Sequence, residues 1–177
     1  MRLFVGIGLL AQVAEALAES AVKLIAPANA SHIRWTPPAN MHVTLSFLGK
    51  VHPARREVIE QTLATIQARG LRVELSGVGV FERAGVLFAN VKPSAALLAL
   101  AEQVVTAMET TGFARESRPY SPHVTLARTR DPLRLRSNAS GDPAFHQNFH
   151  ASEFRLYQSL TLSGGAQYEV LRVFPLG

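Results

Sequence analysis

The chain has 177 residues, 47% of them hydrophobic, enough to bury a core and to form one domain, 1–177, of two intimate lobes. It contains no cysteine, which excludes a disulfide framework, a thiolate nucleophile and a cysteine-ligated metal. Lys and Arg number 18 against 13 Asp and Glu, for a net charge of +5, a balance that favours polyanionic ligands.

Met1-Arg2 and the uncharged, mostly apolar run to Ala11 crudely mimic a short signal peptide, but Leu3 to Leu9 reads as a core strand running into an amphipathic helix marked by Val13, Leu17, Ala21 and Leu24. The apolar runs are too short to span a bilayer, so a cytoplasmic protein without a membrane partner is expected. A strand from His42 through Phe47-Leu48 ends at Gly49, and a helix is predicted from Pro53 to Ala68. Strands follow near Arg72 to Phe81 and Val86 to Lys92. A third helix, Ser94 to Thr111, carries Leu97, Leu98, Ala101, Val104, Val105 and Met108 at three- and four-residue spacing and stops at Gly112. A strand from His123 leads into a polar loop, Arg130 to Asn148. Strands at Ala151 to Ser163 and Gln167 to Phe174, joined by a hairpin at Gly164-Gly165, close the chain. The pattern is α+β, built from two imperfect copies of one unit.

His-Val-Thr-Leu occurs twice, at His42–Leu45 and His123–Leu126, 81 positions apart. Each copy follows a turn-like, proline-containing segment, Pro37-Pro38-Ala39-Asn40 and Arg118-Pro119-Tyr120-Ser121-Pro122. A strand projects residues i and i+2 from one face about 7 Å apart, so each copy offers His and Thr to one side and Val and Leu to the other. Two such strands facing one cleft supply two imidazoles and two hydroxyls. That set suits phosphoryl transfer at a phosphodiester. One imidazole takes a proton from the nucleophile, the other gives one to the leaving oxygen, and the hydroxyls bind the non-bridging oxygens.

The stretches Trp35-Thr36-Pro37-Pro38-Ala39-Asn40-Met41-His42-Val43-Thr44-Leu45-Ser46-Phe47-Leu48-Gly49 and Arg118-Pro119-Tyr120-Ser121-Pro122-His123-Val124-Thr125-Leu126-Ala127-Arg128 resemble the 2H phosphoesterase superfamily. Within it they are similar to the bacterial RNA 2′,3′-cyclic phosphodiesterases, also called 2′-5′ RNA ligases. The likeness runs from Arg2-Leu3-Phe4-Val5 to Tyr168-Glu169-Val170-Leu171. The resemblance implies a bilobal fold, two mainly antiparallel sheets with outer helices around a central cleft. It implies hydrolysis of RNA 2′,3′-cyclic phosphate ends to 2′-phosphates, without metal or other cofactor, and reversible ATP-independent 2′-5′ joining. It further implies that His123 is the general base, His42 the general acid, and Thr44 and Thr125 phosphate ligands. RNA ends or nucleotides bearing the cyclic phosphate are the expected partners, and a monomer is the expected state.

The family also places an arginine at the offset of Arg128. Simple alternation objects, because position 128 has the opposite parity to His123 and Thr125. A bulge would re-aim it, and Arg130, with matching parity, is the competitor. Trp35 and Tyr120 are nucleoside-contact candidates, each with a packing role as the alternative. Phe47 shares the parity of Val43 and Leu45 and is assigned to the core. His146 and His150 have a helical metal-ligand spacing, but Pro143 and the polar surroundings argue against a helix there. Two other readings stay open: a related enzyme for small cyclic nucleotides or 2′-5′ oligonucleotides, and a non-catalytic nucleotide- or RNA-binding module of the same fold.

Overall fold

A computed structural model describes residues 1–25, 33–130, 141–162 and 165–177. In chain order the elements are β1 (Arg2–Gly8), α1 (Ala11–Lys23), β2 (Arg34–Trp35), β3 (His42–Lys50), α2 (Arg56–Leu63), β4 (Leu71–Phe81), β5 (Val86–Val91), α3 (Ala95–Thr110), β6 (His123–Arg128), β7 (Asn148–Ala151), β8 (Glu153–Leu162) and β9 (Gly165–Pro175). The strands run in the order β7-β4-β5-β6-β3-β1-β8-β9, with β2 added beside β6. All their pairings are antiparallel. Among the described residues no helix is long and apolar enough to cross a membrane.

The order is a palindrome of roles. β3 and β6 carry the repeated tetrapeptide, β1 and β5 flank them, and β8 and β4 flank those. The two expected sheets therefore join, and they do so through one residue pair, Val43↔Val124, between β3 and β6. Beyond that pair β2 takes the place of β3 beside β6, with Arg34 opposite Arg128 and Trp35 opposite Ala127. At the other end of the sheet order a single residue, Ser152, separates β7, which pairs with β4, from β8, which pairs with β1. The sheet must curl until those distant strands meet at this corner. The strand predicted over Ala151 to Ser163 is β8, and β7 just ahead of it is a strand the sequence does not predict, because at Ser152 the chain leaves one half of the sheet for the other.

One face of the sheet is apolar and covered by helices. Val43, Leu45, Val124 and Leu126 are buried together with Val13, Leu17 and Ala21 of α1 and with Leu97, Leu100, Val104 and Met108 of α3. Helix α3 has both boundaries its sequence predicts. The Ser94 side chain accepts from Leu97 N at 3.2 Å, and Gly112 follows the end with φ of 86°. Helix α2 is shorter than the predicted 53–68. Pro53 opens a 3₁₀ turn, Pro53–Arg55, and the α-helix ends at Leu63. Past that point the main chain tightens into Thr65 N→Thr62 O and Ile66 N→Leu63 O bonds, and the Thr65 hydroxyl competes for the Thr62 carbonyl. The predicted 130–148 loop contains a 3₁₀ turn at Pro143–His146 before β7; its 131–140 portion lies outside the described residues, as does part of the predicted Gly164-Gly165 hairpin.

Both repeated strands bulge at the same place. Against β1 the register passes from Gly6↔Thr44 to Val5↔Ser46, skipping Leu45. Against β5 it passes from Phe88↔Thr125 to Leu87↔Ala127, skipping Leu126. Each skipped leucine is the fourth residue of its tetrapeptide and stays in the core. An extra residue reverses the alternation that follows it. Phe47 and Arg128, each five positions after its histidine, therefore turn to the histidine face. The core assignment of Phe47 is corrected on this ground: it is 64% exposed.

Close approach of β1 to the first histidine requires glycine at position 6. A Cβ there would lie 2.8 Å from Val43 O and 3.3 Å from His42 Cδ2. Replacing Gly6 by Ala should lower stability by about 1–3 kcal/mol, as overpacking does. The same change should shift the His42 ring resonances. Urea unfolding and ring NMR of Gly6→Ala check both, and an unperturbed ring would show that β1 has more room than this geometry allows.

Candidate active site

His42, Thr44, His123 and Thr125 all lie on the sheet face away from the helices, half-buried between fully buried Val43, Leu45, Val124 and Leu126. In an antiparallel pair centred on Val43↔Val124, continuation of the register sets His42 opposite Thr125 and Thr44 opposite His123. Each histidine thus has its own threonine two residues on and the other copy's threonine across the strand. The spacing of 81 residues in sequence collapses to neighbouring positions.

The two imidazoles are held alike. His42 Nδ1 contacts Asn40 O at 2.7 Å, and His123 Nδ1 contacts Ser121 O at 2.7 Å. A carbonyl only accepts, so each Nδ1 carries hydrogen and donates to the backbone two residues upstream. This leaves Nε2 of each neutral ring as the basic nitrogen. His42 Nε2 lies 3.1 Å from Thr44 Oγ1, and in the neutral ring it accepts from that hydroxyl. Such a backbone-fixed tautomer is what a ring needs before it can exchange a proton at a fixed point.

Aromatic neighbours differ between the two. Around His42 stand Phe4 at 4.6 Å, Tyr168 at 5.2 Å edge-on and Tyr157 at 5.8 Å between ring centroids. Around His123 stand Phe81 at 5.2 Å and Phe88 at 5.4 Å, which stack on each other at 4.1 Å. Enclosure is the larger influence on His42, pushing its pKa down from 6.5 to about 4, and the positive charges of His123 and Arg128 push the same way; the bond to Asn40 opposes them. The charges of His123 and Arg128 both act on His42, as expected of side chains on one face of the sheet.

Arg128 is exposed on the cleft face, as the Leu126 bulge requires, and Arg34, its cross-strand partner on β2, shares that face. Arg130 lies past the strand end and is not among the charges acting on His42. Trp35 is not brought to the site. It pairs with Ala127, whose side chain belongs to the core, and forms an apolar wall with Ala18, Val22, Pro37, Pro38 and Leu126 on the helix side of the sheet. Tyr120 lines the cleft, but its hydroxyl donates to Thr44 O at 2.9 Å. Burial raises its pKa, so the phenol stays protonated as a donor. It bridges the chain entering the second strand to the first strand, across the gap where β3 leaves β6. That gap opens into a groove of about 1310 Å³ reaching from Thr44, Phe47 and His123 to Leu98, Val105 and Met108 of α3.

Sequence reasoning missed Phe47, Phe81, Asn40 and the ring pair Phe4 and Tyr168. Doubling the tetrapeptide carried the signal for Phe47, since a bulge that re-aims the residue five positions after one histidine does so after the other.

The depressed His42 pKa fixes a sign. Between pH 6.5 and about 4 the unfolded chain binds a proton at this residue that the folded chain refuses. This part of the stability is complete above pH 6.5, is lost as pH falls, and is flat below about 4. Urea unfolding of wild type and His42→Asn at pH 7.5, 5.5 and 4.5 should show the wild-type margin shrinking with acid. A margin independent of pH would mean the ring titrates normally in the fold.

Residues 11–158 match the family described as the 2′-5′ RNA ligase superfamily. An RNA 2′,3′-cyclic phosphodiesterase of Geobacillus stearothermophilus is 32% identical over 153 residues, 80% of this chain and 47% of that protein, so the chain spans about half of that relative's length. An Archaeoglobus fulgidus protein of the same description is 30% identical over 154 residues, covering 81% of this chain and 84% of its own. A crystal structure of E. coli LigT complexed with 3′-AMP superposes with a TM-score of 0.83 at 26% identity, over 99% of this chain and 97% of that one. With the family matched over most of its length and two interleaved His–Thr pairs on one sheet face, this chain belongs to the 2′-5′ RNA ligase superfamily.

Proposed function

We propose that the protein hydrolyses 2′,3′-cyclic phosphate ends of RNA to 2′-phosphates, acting as one bilobal unit in the cytoplasm. The observation that carries the reading is the tetrad of His42, Thr44, His123 and Thr125 around a single strand pair, with Arg128 turned toward it. A phosphorus atom above Val43↔Val124 meets an imidazole and a hydroxyl from each side. Water attacks phosphorus as His123 removes its proton. The P–O3′ bond breaks, and His42 delivers a proton to O3′. The threonine hydroxyls and the Arg128 guanidinium take the charge on the non-bridging oxygens, where stabilisation aimed at the transition state is worth most. With an RNA 5′-hydroxyl attacking phosphorus in place of water, the same P–O3′ bond breaks, O3′ takes the proton, and the ends are joined through a 2′-5′ link without ATP. Phe47 and Phe81 rim the same groove and supply π-faces for a nucleobase.

A second reading swaps the histidines, and one observation favours it. His42 is held neutral in the free protein, which is the form of a base. Under the first reading the bound phosphate anion offsets the repulsion from His123 and Arg128 and lets His42 take a proton. A substrate with sulfur at the 3′ bridging position separates the two, because a thiolate leaves without an acid. Under the first reading His42→Ala recovers activity on it and His123→Ala does not; the reverse pattern assigns the acid to His123.

Incubation of metal-free protein with RNA ending in a 2′,3′-cyclic phosphate, followed by identification of the monophosphate isomer, tests the reaction itself. The expected product is the 2′-phosphate, and a 3′-phosphate would exchange the leaving oxygen. Either histidine-to-alanine variant should lose about 10²–10⁴ in turnover with the fold intact. Arg128→Ala should weaken substrate affinity, whereas Arg130→Ala should leave it near wild type. Equal losses would void the role given to the bulge.

A further inference from the structure

Asn40 is one of two buried polar residues among those described, the other being Ser20. Burial of an amide is costly unless its donors and acceptor are engaged, and every group of Asn40 has a partner. Its Nδ2 donates to Ala166 O at 2.8 Å, and its Oδ1 accepts from Tyr168 N at 3.4 Å. Its backbone N donates to Pro37 O at 2.9 Å, and its backbone O accepts from His42 Nδ1. The side chain thus addresses β9 as a neighbouring strand would, taking the carbonyl of one residue and the N–H of the residue two further on. The partners stand 126 and 128 positions away in sequence.

The contact ties three things together. Residues Ala166 and Tyr168 belong to the strand that ends the sheet order, and β9 otherwise pairs only with β8. Tyr168 nevertheless reaches His42 edge-on at 5.2 Å and Phe4 at 4.9 Å. The long β8–β9 hairpin therefore curls over the cleft face of β1, and the Asn40 amide fastens it there. One residue holds the Nδ1 end of the His42 ring through its carbonyl and one wall of that ring's enclosure through its side chain.

We infer that Asn40 is a positioning residue for the reaction, fixing the tautomer and orientation of His42 by clamping the β8–β9 hairpin and Tyr168 over it. The inference rests on the two-histidine reading. Because Asn40 acts through another residue, its loss should appear in turnover rather than in substrate binding. An ångström of misplacement of a reacting group can cost about 10²-fold. Among the described residues the second motif has no counterpart clamp: the carbonyl that receives His123 Nδ1 belongs to exposed Ser121.

Asn40→Leu and Asn40→Asp test this, the first removing both side-chain bonds and the second keeping only the acceptor. On a mononucleoside 2′,3′-cyclic phosphate, kcat should fall at least about 10-fold in both, with KM changed less than about three-fold. Long-range ¹H–¹⁵N spectra should show His42 leaving the single Nδ1–H tautomer while His123 keeps it. Should Asn40→Leu fail to fold, Tyr168→Leu removes the ring wall while sparing the amide bonds and should produce the same split. Wild-type kcat and an unmoved His42 tautomer in the folded variants would overturn the inference. The spectra do not depend on turnover. If wild type itself cleaves no cyclic phosphate, the functional reading fails while the clamp is still judged by the His42 signals.

Discussion

The structure depends on one backbone contact, the Val43↔Val124 pair. Everything else in β3 and β6 pairs outward, β3 with β1 and β6 with β5 and β2. A longer ladder between the two strands would flatten the junction and fill the gap that becomes the groove. The pair itself fixes the two histidines, on neighbouring strands, relative to each other. The Tyr120 bond to Thr44 O reinforces the junction on the open side, and it does so with a group whose loss of a proton is opposed by burial. The two valines are buried completely, so the joint is dry, where a backbone hydrogen bond is least exposed to competition from water.

From this joint the pseudo-symmetry of the site follows, and so does its asymmetry. Identical tetrapeptides, identical bulges and identical Nδ1-to-carbonyl bonds make the two histidines equivalent as far as the backbone can. The fifth residue after each histidine then breaks the equivalence: Phe47 offers an apolar ring to the cleft and Arg128 a fixed positive charge. A substrate that joins a nucleobase to an anionic phosphorus centre matches that division, because base stacking needs a π-face and phosphate needs a guanidinium.

Much of this was legible in the sequence because the doubled tetrapeptide is a local pattern, and local patterns survive without knowledge of pairing. The α3 boundaries were equally legible, since a serine cap and a glycine stop act within a few residues. Parity failed at Phe47, and it left Arg128 unresolved, because a bulge is a relation between two strands and only the register with β1 or β5 reveals it. The sequence leaves Trp35 between a nucleoside contact and a packing role for a similar reason. Its proximity to His42 in sequence says nothing about β2 crossing to pair with β6, which turns the indole toward α1. Asn40 was read only as part of a turn, since its partners lie on the last strand. The shortening of α2 came from competition between Thr65 and the helix backbone, a contest that periodicity does not weigh.

The unequal surroundings of the two imidazoles carry the last step of the argument. Acid–base catalysis by a pair of like groups requires that one hold a proton while the other lacks it, and environments that push their pKa values apart accomplish this. Three aromatic rings enclose His42, and neighbouring cations oppose its protonation; His123 sits at the rim against two phenylalanines. In the free protein burial therefore holds His42 neutral. A negative charge placed between the rings would oppose the push that neighbouring cations exert on His42.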